Sequence, residues 1–343
     1  MTSPALSVVV PCYNEEACLE QLHARLSAVA AQVAPDDYEI VLVNDGSCDR
    51  TWPMMQELAA RDPRLTAINL SRNHGHQLAL TAGLDLCAGE RILIIDADLQ
   101  DPPELLPEMM AEMDRQQADV VYAVRRARAG ETAFKLGTAK LFYRLLSRLA
   151  EIPIPVDTGD FRLMSRRALD ALLALPEQAR FIRGMVAWIG FRQVPILYDR
   201  AERLAGETKY PLAKMVRLAL DAVTGFSTAP LRLASHVGLC LVAASVLLLA
   251  YIGYGYFTGS AIQGWTSLML VVVLLGAVQM FVLGMIGEYL GRLYMEAKRR
   301  PLYIVAEIAG RGGGAARLGH VAQAAEAIAT KETPGGKGRR PSK

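Results

Sequence analysis

The chain has 343 residues, which is enough for one large domain or two moderate ones. It carries 37 Lys and Arg against 35 Asp and Glu, so the net charge does not favour a polyanion, and we expect no nucleic-acid partner. Hydrophobic residues make up 52% of the sequence, which is high for a purely soluble protein, and the excess lies after residue 230. The five cysteines form no CxxC pair, which predicts buried, reduced thiols in a cytosolic compartment rather than disulfides or a zinc site.

The first 125 residues alternate short β-rich apolar runs with longer segments of helical periodicity. The apolar runs are LSVVVP (6–11), YEIVLVND (38–45), LTAINL (65–70), RILIIDAD (91–98) and ADVVYAVR (118–125). Continuous apolar strands separated by amphipathic helices predict an α/β fold with a mostly parallel sheet covered on both faces. The N-terminus has neither a basic region nor a cleavage site, so we interpret it as the first strand and not as a signal peptide.

Polar residues gather where three of the predicted strands end. These clusters are Tyr13–Glu16, Asn44–Ser47 and Asp96–Asp98. In α/β sheets ligands bind beyond the carboxyl ends of the strands, so the three clusters predict one shared binding cleft. No Gly-rich phosphate loop follows a strand, which disfavours a dinucleotide site or an ATP P-loop.

The third cluster lies in IIDADLQDPPE (94–104), where acidic side chains surround a turn that two prolines follow. An acidic turn at a strand end suits Mg²⁺ or Mn²⁺ held by few carboxylates together with substrate phosphates. The predicted ligands are Asp98 and the carbonyl of Gln100, with Asp96 close by.

Two hydrophobic segments, 237–257 and 265–286, each have about the 20 residues that a helix needs to cross a bilayer. The alternative is a helical hairpin in a soluble core. Basic residues flank the pair but not the loop between the segments, so the positive-inside rule places both termini in the cytoplasm. Glu288, at the inner edge, is expected to pair with Arg292. Basic amphipathic stretches at 130–150 and 209–223 are either ordinary surface helices or helices lying in the membrane interface.

Five segments in a fixed order carry a resemblance to a known family. They are VVVPCYNEE, VNDGSCDRT, RNHGHQLALTAGLD, DADLQDPPE and VDTGDFRLM. Together they resemble glycosyltransferase family 2 with its GT-A fold. More narrowly, they resemble polyprenyl-phosphate glycosyltransferases such as dolichol-phosphate mannose synthases and GtrB-type bactoprenol glucosyltransferases. The resemblance covers roughly residues 5–305, including both hydrophobic segments.

We therefore expect five regions along the chain. They are a cytoplasmic GT-A domain (1–208), a juxtamembrane amphipathic segment (209–232), two transmembrane helices (233–290), a cytoplasmic basic segment (291–310) and a disordered tail (311–343). The resemblance implies a multi-pass protein of the bacterial inner (plasma) membrane, and it suggests a homo-oligomer, possibly a tetramer.

The resemblance also implies roles for individual residues. Those of the nucleotide-sugar site are Pro11, Tyr13, Glu15, Asp45 and Asp96. Tyr13 would lie against the base, Glu15 would bind the ribose hydroxyls, and Asp45 would accept a hydrogen bond from the base. Asp96, Asp98 and Gln100 match the family's metal–diphosphate motif.

Asp98, Asp160 and Arg125 are the expected catalytic residues. Asp160 matches a carboxylate near the reacting centre, and Arg125 matches a basic residue that contacts phosphates. The residues expected to meet the acceptor phosphate are Lys135, Arg203 and Lys209. For the pair His74 and His76, a metal role stays open beside the favoured interpretation, a loop that packs near the diphosphate.

The expected reaction is the inverting transfer of one hexose, with UDP-glucose as the favoured donor, to undecaprenyl or another polyprenyl phosphate. GDP-mannose, UDP-N-acetylglucosamine and UDP-aminoarabinose are alternative donors. A lipid monophosphate is already ionised at neutral pH, so it needs positioning more than deprotonation. A processive polysaccharide synthase is a weaker alternative, because the sequence lacks a Q-x-x-R-W motif. A non-catalytic, membrane-anchored binding protein is another weaker alternative, because the acidic strand ends are intact.

Overall fold

The structure is a computed structural model that describes residues 3–126, 158–199, 229–258 and 264–310. All three predicted acceptor-phosphate residues lie outside the described residues: Lys135, Arg203 and Lys209. The two basic amphipathic stretches and the tail from residue 311 lie outside them as well.

The described chain alternates strands and helices up to residue 125, and after that point pairs of helices follow single strands. The strands are β1 (Leu6–Cys12), β2 (Tyr38–Asn44), β3 (Leu65–Leu70), β4 (Arg91–Ile94), β5 (Val120–Arg125), β6 (Thr158–Ser165), β7 (Gln193–Tyr198) and β8 (Val305–Gly310). The helices are α1 (Leu19–Val33), α2 (Thr51–Arg61), α3 (His76–Leu86), α4 (Leu106–Gln116), α5 (Arg166–Leu173), α6 (Ile182–Trp188), α7 (Ala229–Phe257) and α8 (Trp265–Lys298). The five apolar runs are therefore the first five strands, as predicted.

All described strands join one sheet in the order β7-β5-β6-β4-β1-β2-β3-β8. The strands β1 to β4 pair in parallel with one another, and β5 pairs in parallel with β7. The sheet is more mixed than predicted, because β6 runs antiparallel between β4 and β5, and β8 runs antiparallel beside β3. The α/β fold class itself is confirmed.

Both faces of the sheet are covered, which explains why its strands are apolar without interruption. Successive residues of β1 point to opposite faces, so Val8 and Val10 pack with α1 and α4, whereas Val9 packs with α3 and α5. All three valines are fully buried. Burying one such side chain contributes about 1.5–3 kcal/mol, so this core fixes the strand ends that carry the polar clusters.

The apolar run RILIIDAD had suggested a strand that continues to Asp98. In the structure the strand β4 ends at Ile94. The register explains the difference, because the pairing of β4 with β1 stops at Ile94 and the chain then turns. Asp96 and Asp98 therefore lie in the turn just beyond the sheet edge.

The two hydrophobic segments are helical, as predicted, but both helices extend beyond them. The helix α7 begins at Ala229, and α8 continues to Lys298. Within the described residues, one stretch, Leu274–Lys298, has the length and hydropathy of a membrane-spanning helix, and none of it is buried. The predicted pair of Glu288 and Arg292 is present, with a nitrogen–oxygen distance of 3.2 Å.

After α8 the chain returns to the sheet. Tyr303 donates a hydrogen bond from its hydroxyl to Asp85 at the end of α3, at 2.7 Å, and the N–H of Ser71 donates to the carbonyl of Ile304. The strand β8 then pairs with β3. The sheet therefore includes residues that the expected division at residue 208 had left to a separate basic segment.

The five cysteines are free thiols, as predicted. Only three of them are buried, namely Cys12, Cys18 and Cys87. Cys48 and Cys240 are exposed, which corrects the expectation of burial for these two, because one lies in the loop after β2 and the other on α7.

Candidate active site

The ends of β1, β2 and β4 meet at one edge of the sheet, as the sequence predicted. Hydrogen bonds join the first two ends: the N–H of Asn14 donates to the hydroxyl of Ser47, and the N–H of Glu15 donates to the hydroxyl of Thr51. The thiol of Cys18 joins the first end to the third, because its sulfur lies 3.2 Å from the carbonyl oxygen of Ala97. The three polar clusters therefore form one connected surface.

The residues predicted for the nucleoside pocket lie on this surface. Pro11 is buried at the end of β1, beside Val43 of β2, and fixes the strand from which the pocket residues emerge. Tyr13 has 48% of its surface exposed, so its ring is open to a ligand. Glu15 is half-buried, with its carboxylate 3.1 Å from the Cys18 sulfur.

Asp45 is buried, and both its carboxylate oxygens accept backbone hydrogen bonds. The N–H groups of His74 and Gly75 donate to it at 2.7 and 2.9 Å. Burial raises the pKa of this carboxyl above its ordinary value, although the two N–H donors oppose that rise. In this structure Asp45 holds the loop after β3, and its predicted contact with a nucleobase stays a prediction.

Gly46 allows the loop after β3 to approach the end of β2 closely. Its φ is +66°, and a Cβ at this position would lie 2.5 Å from the backbone nitrogen of Asn73. A side chain here would therefore push against backbone and not against a flexible group. The sequence Asp-Gly thus couples the end of β2 to the loop that leads into α3.

The acidic turn after β4 has an unusual backbone. Leu99 is buried and has a φ of +57°, a left-handed conformation that costs a side-chain-bearing residue free energy. The N–H of Gln100 donates to Asp98 Oδ1 at 3.2 Å, which closes the turn. The turn places Asp96, Asp98 and the backbone of Gln100 within one short segment at the sheet edge.

This turn fits a hard divalent cation. The Oδ1 atom of Asp96 is buried, and within the described residues it accepts no hydrogen bond, although His76 Nε2 lies at an ion-pair distance of 3.6 Å. Carboxylate and carbonyl oxygens are the donors that Mg²⁺ and Mn²⁺ prefer. Among the described residues no three His, Cys, Asp or Glu are grouped to hold a metal by themselves, so the ion would need substrate oxygens as well.

Asp160, near the start of the antiparallel strand β6, is buried beside this turn. His76 Nε2 lies 3.1 Å from Asp160 Oδ2 and 3.6 Å from Asp96 Oδ1, so the imidazole joins the two carboxylates. The Gln77 amide donates to the same Asp160 oxygen at 2.9 Å. The imidazole of His74 lies near a different group, with its Nε2 3.5 Å from the Ser71 hydroxyl, and within the described residues no group of three metal-binding side chains joins the two histidines.

The pKa values of Asp160 and Asp96 are shifted in opposite directions. Burial by itself raises the pKa of Asp160, but the hydrogen bond from His76 and the charges of Arg162 and Arg183 hold it below its ordinary value. Asp96 has a pKa raised to about 6, chiefly by burial and then by the neighbouring carboxylates, against the effect of His76. A carboxylate as acidic as Asp160 is a poor general base, which favours a positioning role.

Arg125 reaches the same region from the end of β5. Its Nε lies 3.4 Å from the hydroxyl of Tyr198, and this hydroxyl donates to the buried Asp101. The guanidinium also faces Gly159, where a Cβ would lie 3.5 Å from it. Arg125 is therefore held near Asp101 and Gly159, and its predicted contact with a phosphate stays a prediction.

The sequence analysis did not assign a role to several residues of this site. They are Gln77, Asp101, Arg162, Arg183 and Tyr198. Gln77, Asp101 and Arg162 lie inside segments that carry the family resemblance, so their neighbours were signals for them. Tyr198 and Arg183 had no local signal, because their segments carry no recognised pattern and only the sheet brings them to the site.

Comparison with known proteins agrees with this geometry. The chain matches Glycosyl transferase family 2 over residues 7–173 and the GtrB C-terminal hairpin over residues 229–293. It is 50% identical over 300 residues to the Bacillus subtilis glycosyltransferase YkcC, which covers 87% of this chain and 92% of the relative. The chain belongs to glycosyltransferase family 2.

Two further relatives of this glycosyltransferase are named for a lipid acceptor. The bactoprenol glucosyl transferase of Shigella phage SfV is 38% identical over 301 residues, or 88% of this chain and 97% of that protein. The prophage bactoprenol glucosyl transferase homolog of Escherichia coli is 37% identical over 304 residues, or 88% and 99%. Both matches extend over most of the chain, and the GtrB hairpin matches the helices α7 and α8. The predicted GT-A fold class with a C-terminal hairpin is thereby confirmed.

Proposed function

We propose that this glycosyltransferase moves one hexose from a nucleotide sugar to a polyprenyl phosphate, with inversion at the anomeric carbon. UDP-glucose is the favoured donor and undecaprenyl phosphate the favoured acceptor. The observation that carries this proposal is an acidic site, Asp96, Asp98 and Asp160, in one chain with a hairpin of the GtrB type. The names of the bactoprenol glucosyl transferases support the lipid acceptor.

The donor would bind across the ends of β1, β2 and β4. The exposed ring of Tyr13 offers a flat surface for the base, and Glu15 offers a carboxylate for the ribose hydroxyls. Asp96, Asp98 and the carbonyl of Gln100 would hold Mg²⁺ or Mn²⁺, which supplies positive charge to the leaving diphosphate.

The acceptor phosphate is ionised and would attack the anomeric carbon directly. A new bond forms between the phosphate oxygen and this carbon while the bond to the nucleoside diphosphate breaks, and no proton has to be removed. In-line displacement inverts the carbon. The ionised Asp160 would orient a sugar hydroxyl or a neighbouring cation, and Arg125 would compensate phosphate charge.

We also propose that α7 and α8 anchor the protein as a multi-pass protein of the bacterial inner membrane, with the catalytic domain and both termini in the cytoplasm. The exposed apolar side chains of both helices and the basic residues after α8 support this arrangement. Lys135, Arg203 and Lys209 would meet the lipid phosphate at the membrane surface. A homo-oligomer, possibly a tetramer, is part of the same proposal.

The test uses detergent-solubilised protein with Mg²⁺ or Mn²⁺ and undecaprenyl phosphate. Radiolabelled UDP-glucose, UDP-N-acetylglucosamine and GDP-mannose are supplied in parallel. Label that enters an organic extract with one donor supports the transferase and identifies its sugar. Label found only in free sugar or in a polymer contradicts the proposal and favours donor hydrolysis or a processive synthase.

A further inference from the structure

Arg183 lies at the start of α6 with its guanidinium turned towards Asp160. The Nη2 atom is 3.6 Å from Asp160 Oδ1, an ion-pair distance that is too long for a good hydrogen bond. Its side chain is 23% exposed, whereas its Nε is buried and makes no hydrogen bond within the described residues. An arginine side chain has five N–H donors, and a buried donor without a hydrogen bond costs free energy.

Asp160 does not depend on Arg183 for its hydrogen bonds. His76 and Gln77 donate to its Oδ2 atom, and the fully buried Arg162 lies 3.6 Å from its Oδ1 atom. Arg162 is itself fixed, because it donates to the backbone carbonyls of Gly159 and Asp160. The donors of Arg183 therefore remain available to a ligand at the mouth of the site.

Arg180, three residues earlier, shows the contrasting structural use of an arginine. Its guanidinium donates to the carbonyls of Leu172 and Leu175 and so fastens the loop after α5. Both arginines are partly buried and both have a buried Nε without a hydrogen bond, but the Nη atoms of Arg180 donate to backbone carbonyls, whereas Arg183 makes no hydrogen bond within the described residues. The difference indicates a ligand-binding role for Arg183.

Gln77 fixes the position of Arg183 relative to Asp160. Its amide nitrogen donates to Asp160 Oδ2, and its amide oxygen accepts from the N–H of Ile182 at 2.8 Å. One side chain thus ties the carboxylate and the backbone next to Arg183 together. A site held in this way is preorganised, because neither group has to move when an anion arrives.

We propose that Arg183 binds a substrate phosphate beside Asp160. The planar guanidinium and its unused donors suit two phosphate oxygens at once. The phosphate belongs either to the donor diphosphate or to the lipid acceptor, and the two sources share this chemistry. The inference rests on the proposed function for the identity of the ligand.

The experiment compares Arg183→Gln, Arg183→Lys and the matched control Arg180→Gln. Calorimetry with Mg²⁺ measures the Kd of UDP, and a second titration measures the Kd of geranyl phosphate. We expect Arg183→Gln to raise one of these Kd values by about tenfold or more, and Arg183→Lys to restore part of the affinity. The affected probe identifies the source of the phosphate.

The control Arg180→Gln should change stability and not affinity. Arg180→Gln should lower the thermal midpoint and leave both Kd values within about twofold of wild type. Unchanged Kd values in Arg183→Gln, equal losses in both variants, or a wild type that binds neither probe would overturn the inference. A wild type that binds UDP through Arg183 but transfers no sugar to lipid would overturn only the proposed function.

Discussion

The imidazole of His76 joins Asp160 to the acidic turn, with Nε2 at 3.1 Å from Asp160 Oδ2 and at 3.6 Å from Asp96 Oδ1. His76 begins α3, and the loop before it is held by Asp45. One side chain therefore connects the two carboxylates that the proposed mechanism assigns to different tasks.

Asp98→Ala should reduce transfer by about 100- to 1000-fold, the loss typical when charge stabilisation is removed from a transition state. Membrane insertion should remain intact, since Asp98 lies in a turn far from the hairpin in sequence. The measurement is label transfer to lipid together with membrane fractionation. Asp114→Ala is the control, because Asp114 is exposed on α4 and pairs only with Arg91 among the described residues. Normal transfer by Asp98→Ala would contradict the proposed metal site.

His76 and His74 should titrate on opposite sides of the ordinary histidine pKa of 6.5 when divalent metal is absent. Burial by itself lowers the pKa of His76, but the hydrogen bond to Asp160 and the carboxylate charges raise it overall. Burial and then Arg72 lower the pKa of His74. Proton NMR in the presence of a chelator measures both, with His76→Gln and His74→Gln to assign the signals.

The sign of the His76 shift also predicts a pH dependence of stability. Because the folded pKa is raised, the stabilisation is fully present below pH 6.5 and is lost as pH rises through the folded pKa. The difference in thermal midpoint between wild type and His76→Gln should therefore shrink at alkaline pH. A difference that grows with pH would show that His76 is not held as a cation by its carboxylates.

Tyr303→Phe should destabilise the protein by about 1–3 kcal/mol, because it leaves Asp85 without its hydroxyl donor. Burial raises the pKa of Asp85, and the hydrogen bond from Tyr303 opposes that rise. Denaturant unfolding in detergent measures the effect. Tyr294→Phe is the matched control, since the Tyr294 ring is exposed on α8. Equal losses in both variants would mean that the Tyr303–Asp85 bond does not fasten the C-terminal strand.

Gly46→Ala should be more damaging than Gly190→Ala. Both glycines have a φ near +70°, so an alanine at either position costs about 1–2 kcal/mol of backbone strain. At Gly46 the new Cβ would also meet the backbone of Asn73 at 2.5 Å, whereas at Gly190 the nearest atom is 3.9 Å away. We expect the larger fall in thermal midpoint, and a weaker affinity for UDP, for Gly46→Ala only. Similar affinities in the two variants would contradict a role for this loop in the donor site.

The sequence alone predicted the first five strands and the three polar strand ends. These features are local: apolar runs set the strands, and the polar residues that follow each run mark roughly where it stops. Because parallel neighbours end at one edge of a sheet, the strand ends also implied a shared cleft. The register of β1 with β2 and β4 agrees with this inference.

Other features depend on contacts between distant parts of the chain. The strand β8 pairs with β3 from more than 200 residues away, and its short apolar pattern gave no indication of that partner. The motif around Asp160 was recognised, but its strand β6 was not predicted to run antiparallel beside β4. Arg183 and Tyr198 lie outside the recognised segments and reach the site only through the tertiary structure.

The sequence by itself therefore determined the fold class, the hydrophobic hairpin and the position of the acidic turn, because hydrophobic period and residue type act over a few positions. The tertiary structure decided which charges surround Asp160 and in which direction each carboxyl titrates. A pKa depends on burial and on charges within a few ångströms, and these are set by the packing of α3, β6 and α6.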